Sequence, residues 1–205
     1  MTAPVTVITA TVPGREDLLA RCLRSIYDQS RPVAEHIVVA QRKTTTEPAQ
    51  VACARAQNTA LAAVTTPWVV RLADDDELLP NAVLNLMVWA EDHDVVYGYE
   101  VAGNRQFLDY TTMDRAWLLA ELGQRNGLDG SGTLVRTEAL EDVGGWPTRW
   151  EDGAFQGNAF EGRLAPYEDW ALWLMLARHG YRFKAVYAPT GVWASVTTAA
   201  SPITR

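Results

Sequence analysis

The chain switches between two hydrophobic periods. Residues 5–10 form a short β-rich run that stops at Thr11-Val12-Pro13-Gly14, a turn signal. From 15 to 29, Leu18, Leu19, Cys22, Leu23, Ile26 and Tyr27 recur at helical spacing, which predicts a helix with one buried face. Residues 37–40 read as a second strand, the Ala-rich stretch 48–64 as a helix, and 68–72 as a third strand ending in acids. Beyond it the pattern predicts helices at 80–91, 113–122, 138–143 and 167–179, and strands at 95–99, 133–135 and 183–187. Residues 144–166 are rich in Gly, Pro and aromatics without a period, which suits a binding loop or lid; disorder is the plainer alternative.

Strands alternating with helices predict an α/β fold: a mostly parallel, twisted, doubly wound sheet with helices on both faces. Ligands on such sheets bind beyond the carboxyl ends of the strands. Two polar loops fall there, 11–15 and 74–77.

At 205 residues, one domain is the simpler organisation. With 48% hydrophobic and 21% charged residues, wholesale disorder is excluded. A formal charge of −7 argues against nucleic-acid binding, which rests on Lys and Arg neutralising phosphates. A small diphosphate ligand remains compatible if Arg side chains or a divalent metal sit beside it. Cys22 and Cys53 form no CxxC pair, so a zinc site or disulfide framework is not expected, and a reduced, cytoplasmic setting fits. No apolar run approaches the roughly 20 residues that span a bilayer, and the N-terminus shows no leader pattern.

Asp74-Asp75-Asp76-Glu77 directly follows the third strand. Adjacent carboxylates repel, so such a cluster is costly unless a cation joins it. Oxygen ligands suit Mg²⁺ or Mn²⁺, with substrate phosphates completing the shell. The plainer reading is a solvated turn capping the next helix. Glu168-Asp169 opens the predicted helix at 167–179, where the helix dipole alone would also favour acids.

Leu72-Ala73-Asp74-Asp75-Asp76-Glu77-Leu78-Leu79-Pro80 resembles the DXD region of glycosyltransferase family 2. Val5-Thr6-Val7-Ile8-Thr9-Ala10-Thr11 and Leu23-Arg24-Ser25-Ile26-Tyr27-Asp28-Gln29-Ser30 resemble that family's first strand and helix, as does the stretch 54–62 with Asn58. Glu168-Asp169 with the later His179-Gly180-Tyr181-Arg182-Phe183 resembles its catalytic-base motif. The similarity runs from Val5 to about Tyr187. It implies a GT-A (Rossmann-like) single domain, 1–100 holding a nucleotide-sugar and 101–205 an acceptor. The implied activity is inverting, metal-assisted transfer of a sugar from a nucleoside-diphosphate donor, UDP-type foremost, to a carbohydrate or other hydroxyl acceptor.

By the resemblance Asp169 is the base, and Glu168 orients the acceptor or tunes it. With Pro80 as anchor, Asp74 contacts the donor ribose and Asp75 the metal, Asp76 assisting; a plain DXD reading pairs Asp74 with Asp76. Thr9, Thr11 and Arg15 fall where the family binds base and ribose, and Gln41 replaces the acid that commonly contacts the base. Arg55 and Arg71 are candidates for charge near the diphosphate, and Asn58 is a further candidate for binding the nucleotide-sugar. Gly132, Trp146 and Trp150 are acceptor-side candidates, and Trp193 is a further loop aromatic for sugar stacking. Trp68 and Trp89 are expected in the core, and His36, His93 and His179 as structural or exposed. Ala73 replaces a family Asp, and 192–196 contains no His to complete a metal shell. A non-catalytic domain binding nucleotide or carbohydrate, and a nucleotidyltransferase, are the alternatives. The loop Thr11-Val12-Pro13-Gly14-Arg15 is a poor match to the second.

Overall fold

A computed structural model describes residues 4–42, 44, 46–101, 108–111, 113–128, 130–151, 153–155 and 166–192. Residues 193–196, Trp193 among them, and residues 152 and 156–165 of the predicted loop 144–166 lie outside them.

The elements, in chain order, are β1 (Val5–Thr11), α1 (Glu16–Tyr27), β2 (Glu35–Ala40), α2 (Ala49–Leu61), β3 (Trp68–Arg71), β4 (Glu77–Leu78), α3 (Ala82–Met87), β5 (Val95–Val101), α4 (Arg115–Gln124), β6 (Thr133–Arg136), α5 (Thr137–Asp142), β7 (Trp150–Glu151), β8 (Ala154–Phe155), α6 (Glu168–His179) and β9 (Phe183–Val192). Seven strands form one sheet in the order β2-β1-β3-β6-β5-β9-β4. β1, β2, β3, β5 and β9 run one way; β6 and β4 run against them. The mostly parallel α/β sheet expected from the sequence is therefore present, with β6 inserted antiparallel between β3 and β5.

Side-chain alternation divides the core. Val5 and Val7 of β1 pack with Trp68 and Val70 of β3 against Cys22 and Ile26 of α1 and Ala82, Val83 and Leu86 of α3. Ile8 and Val69 face the other way, into a cluster with α2, α4 and α6. β1 and β3 are buried on both faces; β3 begins with the apolar run Trp68-Val69-Val70, and β1 mixes Val, Ile and Ala with Thr. On the edge strand β2, Thr9 of β1 meets His36: its Oγ1 lies 2.9 Å from Nε2, and burial lowers the His36 pKa to about 4.

Three expectations need correction. The helix foreseen at 80–91 ends at Met87, and Trp89 is exposed, with Lys184 Nζ 4.1 Å above its ring. The acids do not cap α3: β4 intervenes, the N-cap is Asn81, and the Val83 N–H donates to Gln29 Oε1. Gln29 Nε2 also donates to the carbonyls of Ser25 and Leu79, so one buried amide ties α1 to the segment after the acidic turn. Finally, the periodless stretch after 144 contains the β7–β8 hairpin, where Trp150 meets Phe155 edge-on at 4.9 Å.

Asn58 and Trp146 are structural partners. Asn58 Nδ2 donates to the Trp146 carbonyl and Oδ1 accepts from the Trp146 N–H, both at 2.8 Å. Gly145 lies so close that a Cβ there would meet Asn58 Oδ1. Trp146 is only 2% exposed, so its ring has no open face for a sugar. Asn58→Ala strands two main-chain groups and is expected to destabilise by about 2 kcal/mol or more, read as a lowered urea midpoint at unchanged m-value.

Candidate active site

The site forms where β3 leaves the sheet. Leu72 N still bonds to the Ile8 carbonyl at 3.0 Å, after which the chain turns through 73–76, Asp76 N donating to the Ala73 carbonyl at 3.2 Å. Because β6 is antiparallel, the segment before it arrives at this same end. Ala73 N donates to Ser131 Oγ at 2.9 Å, and Gly132 N to the Arg71 carbonyl at 2.8 Å. Gly132 takes φ +69, a left-handed value that favours glycine.

Asp74 and Asp76 are buried, at 2% and 4% exposure. Asp74 Oδ2 accepts from Thr11 Oγ1 at 2.7 Å, and Oδ1 lies 2.6 Å from Arg15 Nη1. The other nitrogen of that guanidinium, Nη2, is 2.5 Å from Asp75 Oδ2. Burial raises the Asp74 pKa, with Thr11 and Arg15 opposing it.

The period of two places Arg71 on the α2 and α6 side of the sheet, with Val69. There Arg71 Nη2 lies 3.7 Å from Glu168 Oε1. Burial opposes the Arg71 charge, but Cys53, Glu168, Asp169 and Asp76 around it lift its pKa above the ordinary value. Glu168, at the head of α6, is pushed up by burial and then by the charge of Asp169. Burial likewise raises the neighbouring Cys53 thiol to about 12. Asp169 Oδ1 accepts from Trp170 N at 2.6 Å; the N-cap is Tyr167, with no side-chain cap. A Cβ on Gly130 would stand 2.7 Å from Asp169 Oδ2 and 3.0 Å from Arg71 Nη1, so a side chain there would displace Asp169 and crowd Arg71.

The two acidic motifs line one cavity of about 200 Å³. Asp75, Asp76, Glu100, Glu168 and Asp169 supply five carboxylates against the single guanidinium of Arg71. Such an excess favours a cationic ligand or ion. Among the described residues no three His, Cys, Asp or Glu side chains form a group that could hold an ion alone. The oxygen-only set of Asp75 and Asp76 fits Mg²⁺ or Mn²⁺ when phosphate oxygens complete the shell.

Other sequence candidates lie elsewhere. Thr9 is buried under His36, and Arg55 pairs with Glu47 at 2.6 Å beside a separate cavity of about 420 Å³ along β2 and α2. Gln41 N donates to the Thr11 carbonyl at 2.6 Å, joining the ends of β1 and β2. Ser131, Asn126, Glu100 and Tyr167 line the cavity and were not singled out from the sequence. Only the glycines flanking Ser131 hinted at a close approach there.

No known family model and no curated protein sequence matches the chain. Solved structures do. S. aureus TarS superposes with a TM-score of 0.66 at 14% identity, over 92% of this chain and 36% of that one. S. aureus TarS 1–349 in complex with UDP-GlcNAc gives 0.62 at 14%, over 92% and 58%. The mannosyltransferase PcManGT from Pyrobaculum calidifontis, in complex with GDP-Man and Mn²⁺, gives 0.62 at 22%, over 95% and 57%. The chain thus spans less than two thirds of each of these, and what it shares with them is the Rossmann-like GT-A fold. Among the described residues no helix is long and apolar enough to cross a membrane.

A raised folded-state pKa means that stability present below the unfolded value, near 4.5 for Glu168, is lost as pH rises through the folded value. Glu168→Gln removes that loss. Its stability relative to the wild type is expected to improve between pH 4.5 and 7.5, measured by urea unfolding at both.

Proposed function

We propose that the chain is an inverting glycosyltransferase that moves a sugar from a nucleoside-diphosphate donor to an acceptor hydroxyl. The supporting observation is the single cavity into which β3 delivers Asp75 and Asp76 and α6 delivers Glu168 and Asp169. The fold is shared with solved structures that carry UDP-GlcNAc, or GDP-Man with Mn²⁺. The donor half is 1–100 and the acceptor half 101–205.

In this reading the donor base and ribose lie along the loop 11–15 and Gln41, at the carboxyl ends of β1 and β2. A UDP-type donor is the first candidate. Asp74, bonded to Thr11 and Arg15, holds that loop against the acidic turn. Asp75 and Asp76 would hold a divalent ion, which when bound offsets negative charge on the departing diphosphate. Asp169 accepts the proton of the acceptor hydroxyl as its oxygen attacks the anomeric carbon, opposite the leaving diphosphate; the configuration inverts. Glu168, buried against Arg71, sets the field around Asp169. Tyr167, more than half exposed at the cavity, offers a ring on which an acceptor sugar can stack.

Calorimetry with UDP, GDP and dTDP, with and without Mn²⁺, tests the donor. Binding of none of them under either condition would sink the reading. Release of nucleoside diphosphate from a donor panel separates an enzyme from a non-catalytic binder of the same fold. Asp169→Asn is expected to lower turnover by roughly 10²–10⁴-fold while leaving donor affinity nearly unchanged; wild-type turnover in that variant would remove Asp169 from the role of base.

A further inference from the structure

The acidic turn holds a cation of its own. Arg15 spans two carboxylates, with Nη1 at 2.6 Å from Asp74 Oδ1 and Nη2 at 2.5 Å from Asp75 Oδ2. The remaining Asp74 oxygen accepts from Thr11. Asp74 is sequestered, whereas the Asp75 side chain is 26% exposed and also lines the cavity. Asp75 is therefore contested: the guanidinium holds one of its oxygens, and the cavity is where an ion would need it.

Arg15 is built to let go. It follows Gly14, which has φ +87 and open space around its Cα, and its own side chain is 30% exposed. No core packing is lost if the guanidinium swings. A planar guanidinium binds phosphate oxygens bidentately at least as well as carboxylates. The start of α1, which Arg15 directly precedes, already carries Glu16 and Asp17, with Glu16 Oε1 accepting from the Gly14 N–H at 3.0 Å, so the attraction for a diphosphate rests on the guanidinium.

We propose that Arg15 is the gate of the metal site. In donor-free protein it neutralises Asp74 and Asp75 and holds divalent ions off; the diphosphate draws the guanidinium onto its own oxygens and frees Asp75. The inference rests on reading the chain as a user of nucleoside-diphosphate donors. Its consequence is that tight binding of the ion needs the nucleotide in place. Nothing in the fold requires the ion first, since Arg15 already relieves the repulsion between the acids.

The test is Mn²⁺ binding, followed by electron paramagnetic resonance of the free ion, to wild type, Arg15→Met and Arg15→Lys, each checked for a cooperative melt. Without nucleotide, Arg15→Met is expected to bind Mn²⁺ about tenfold more tightly than wild type, a coupling of ordinary size between two sites. Arg15→Lys should fall between them, because a point charge cannot bridge both carboxylates. Saturating UDP or GDP should tighten Mn²⁺ on both proteins, because phosphate oxygens complete the shell, but about tenfold more on the wild type, so that the nucleotide-free difference between the two closes. Equal or weaker nucleotide-free affinity in Arg15→Met overturns the gate, as does a wild type indifferent to both nucleotides while binding them. Failure of UDP and GDP to bind any variant would instead strike the donor reading, and the nucleotide-free comparison would still decide the gate.

Discussion

Arg71 ends the central strand β3 with a guanidinium that faces α2 and α6 and is only 17% exposed. A buried charge without partners costs several kcal/mol, so the fold must bring carboxylates to it. Glu168 comes from the head of α6, and Asp169 and Asp76 contribute field from two directions. Gly130 gives up a side chain so that Arg71 and Asp169 can share the space. β3, α6 and the segment before β6 meet around this group, and the cavity lies between them.

That cavity is electrostatically overdrawn. Five carboxylates face one guanidinium within it, and burial, then the charge of Asp169, raises the pKa of Glu168. At the outer side burial raises the pKa of Asp74, moderated by Thr11 and Arg15. Two Arg residues thus hold the acids in different ways. Arg71 is fixed under helices, whereas Arg15 sits on a loop with room to move. The inner contact is enclosed and the outer one open to solvent.

The surrounding scaffold removes freedom from the acidic turn. Upstream, Leu72 remains in the sheet through the Ile8 carbonyl. Downstream, β4 pairs with β9, Leu79 N bonds to the Thr190 carbonyl, and Gln29 and Ser25 of the α1 end bind the main chain of Leu79, Val83 and Leu78. Ser131 holds Ala73 from above. Where the family that this sequence resembles commonly places an Asp, Ala73 contributes its main chain alone to this frame, the N–H to Ser131 and the carbonyl to Asp76 N.

The order β1, α1, β2, α2, β3 and the acidic turn were legible in the amino-acid sequence, because local periodicity and burial on both faces print themselves on adjacent residues. Glu168-Asp169 at the start of α6 was legible for the same reason. The two-residue strands β4, β7 and β8 were not, since a period cannot be read from two positions. Nor was the antiparallel insertion of β6, which decides that Ser131 and Asn126 reach the cavity. Asn58 and Trp146 looked like site residues, yet they bond to each other across 88 positions. Sequence alone thus determined which elements form and where charge is concentrated, because those depend on neighbours in the chain. Only tertiary structure decided which charges meet. The pairings of Arg71 with Glu168 and of Arg15 with Asp74 and Asp75 depend on distances in space, to which local pattern carries no term.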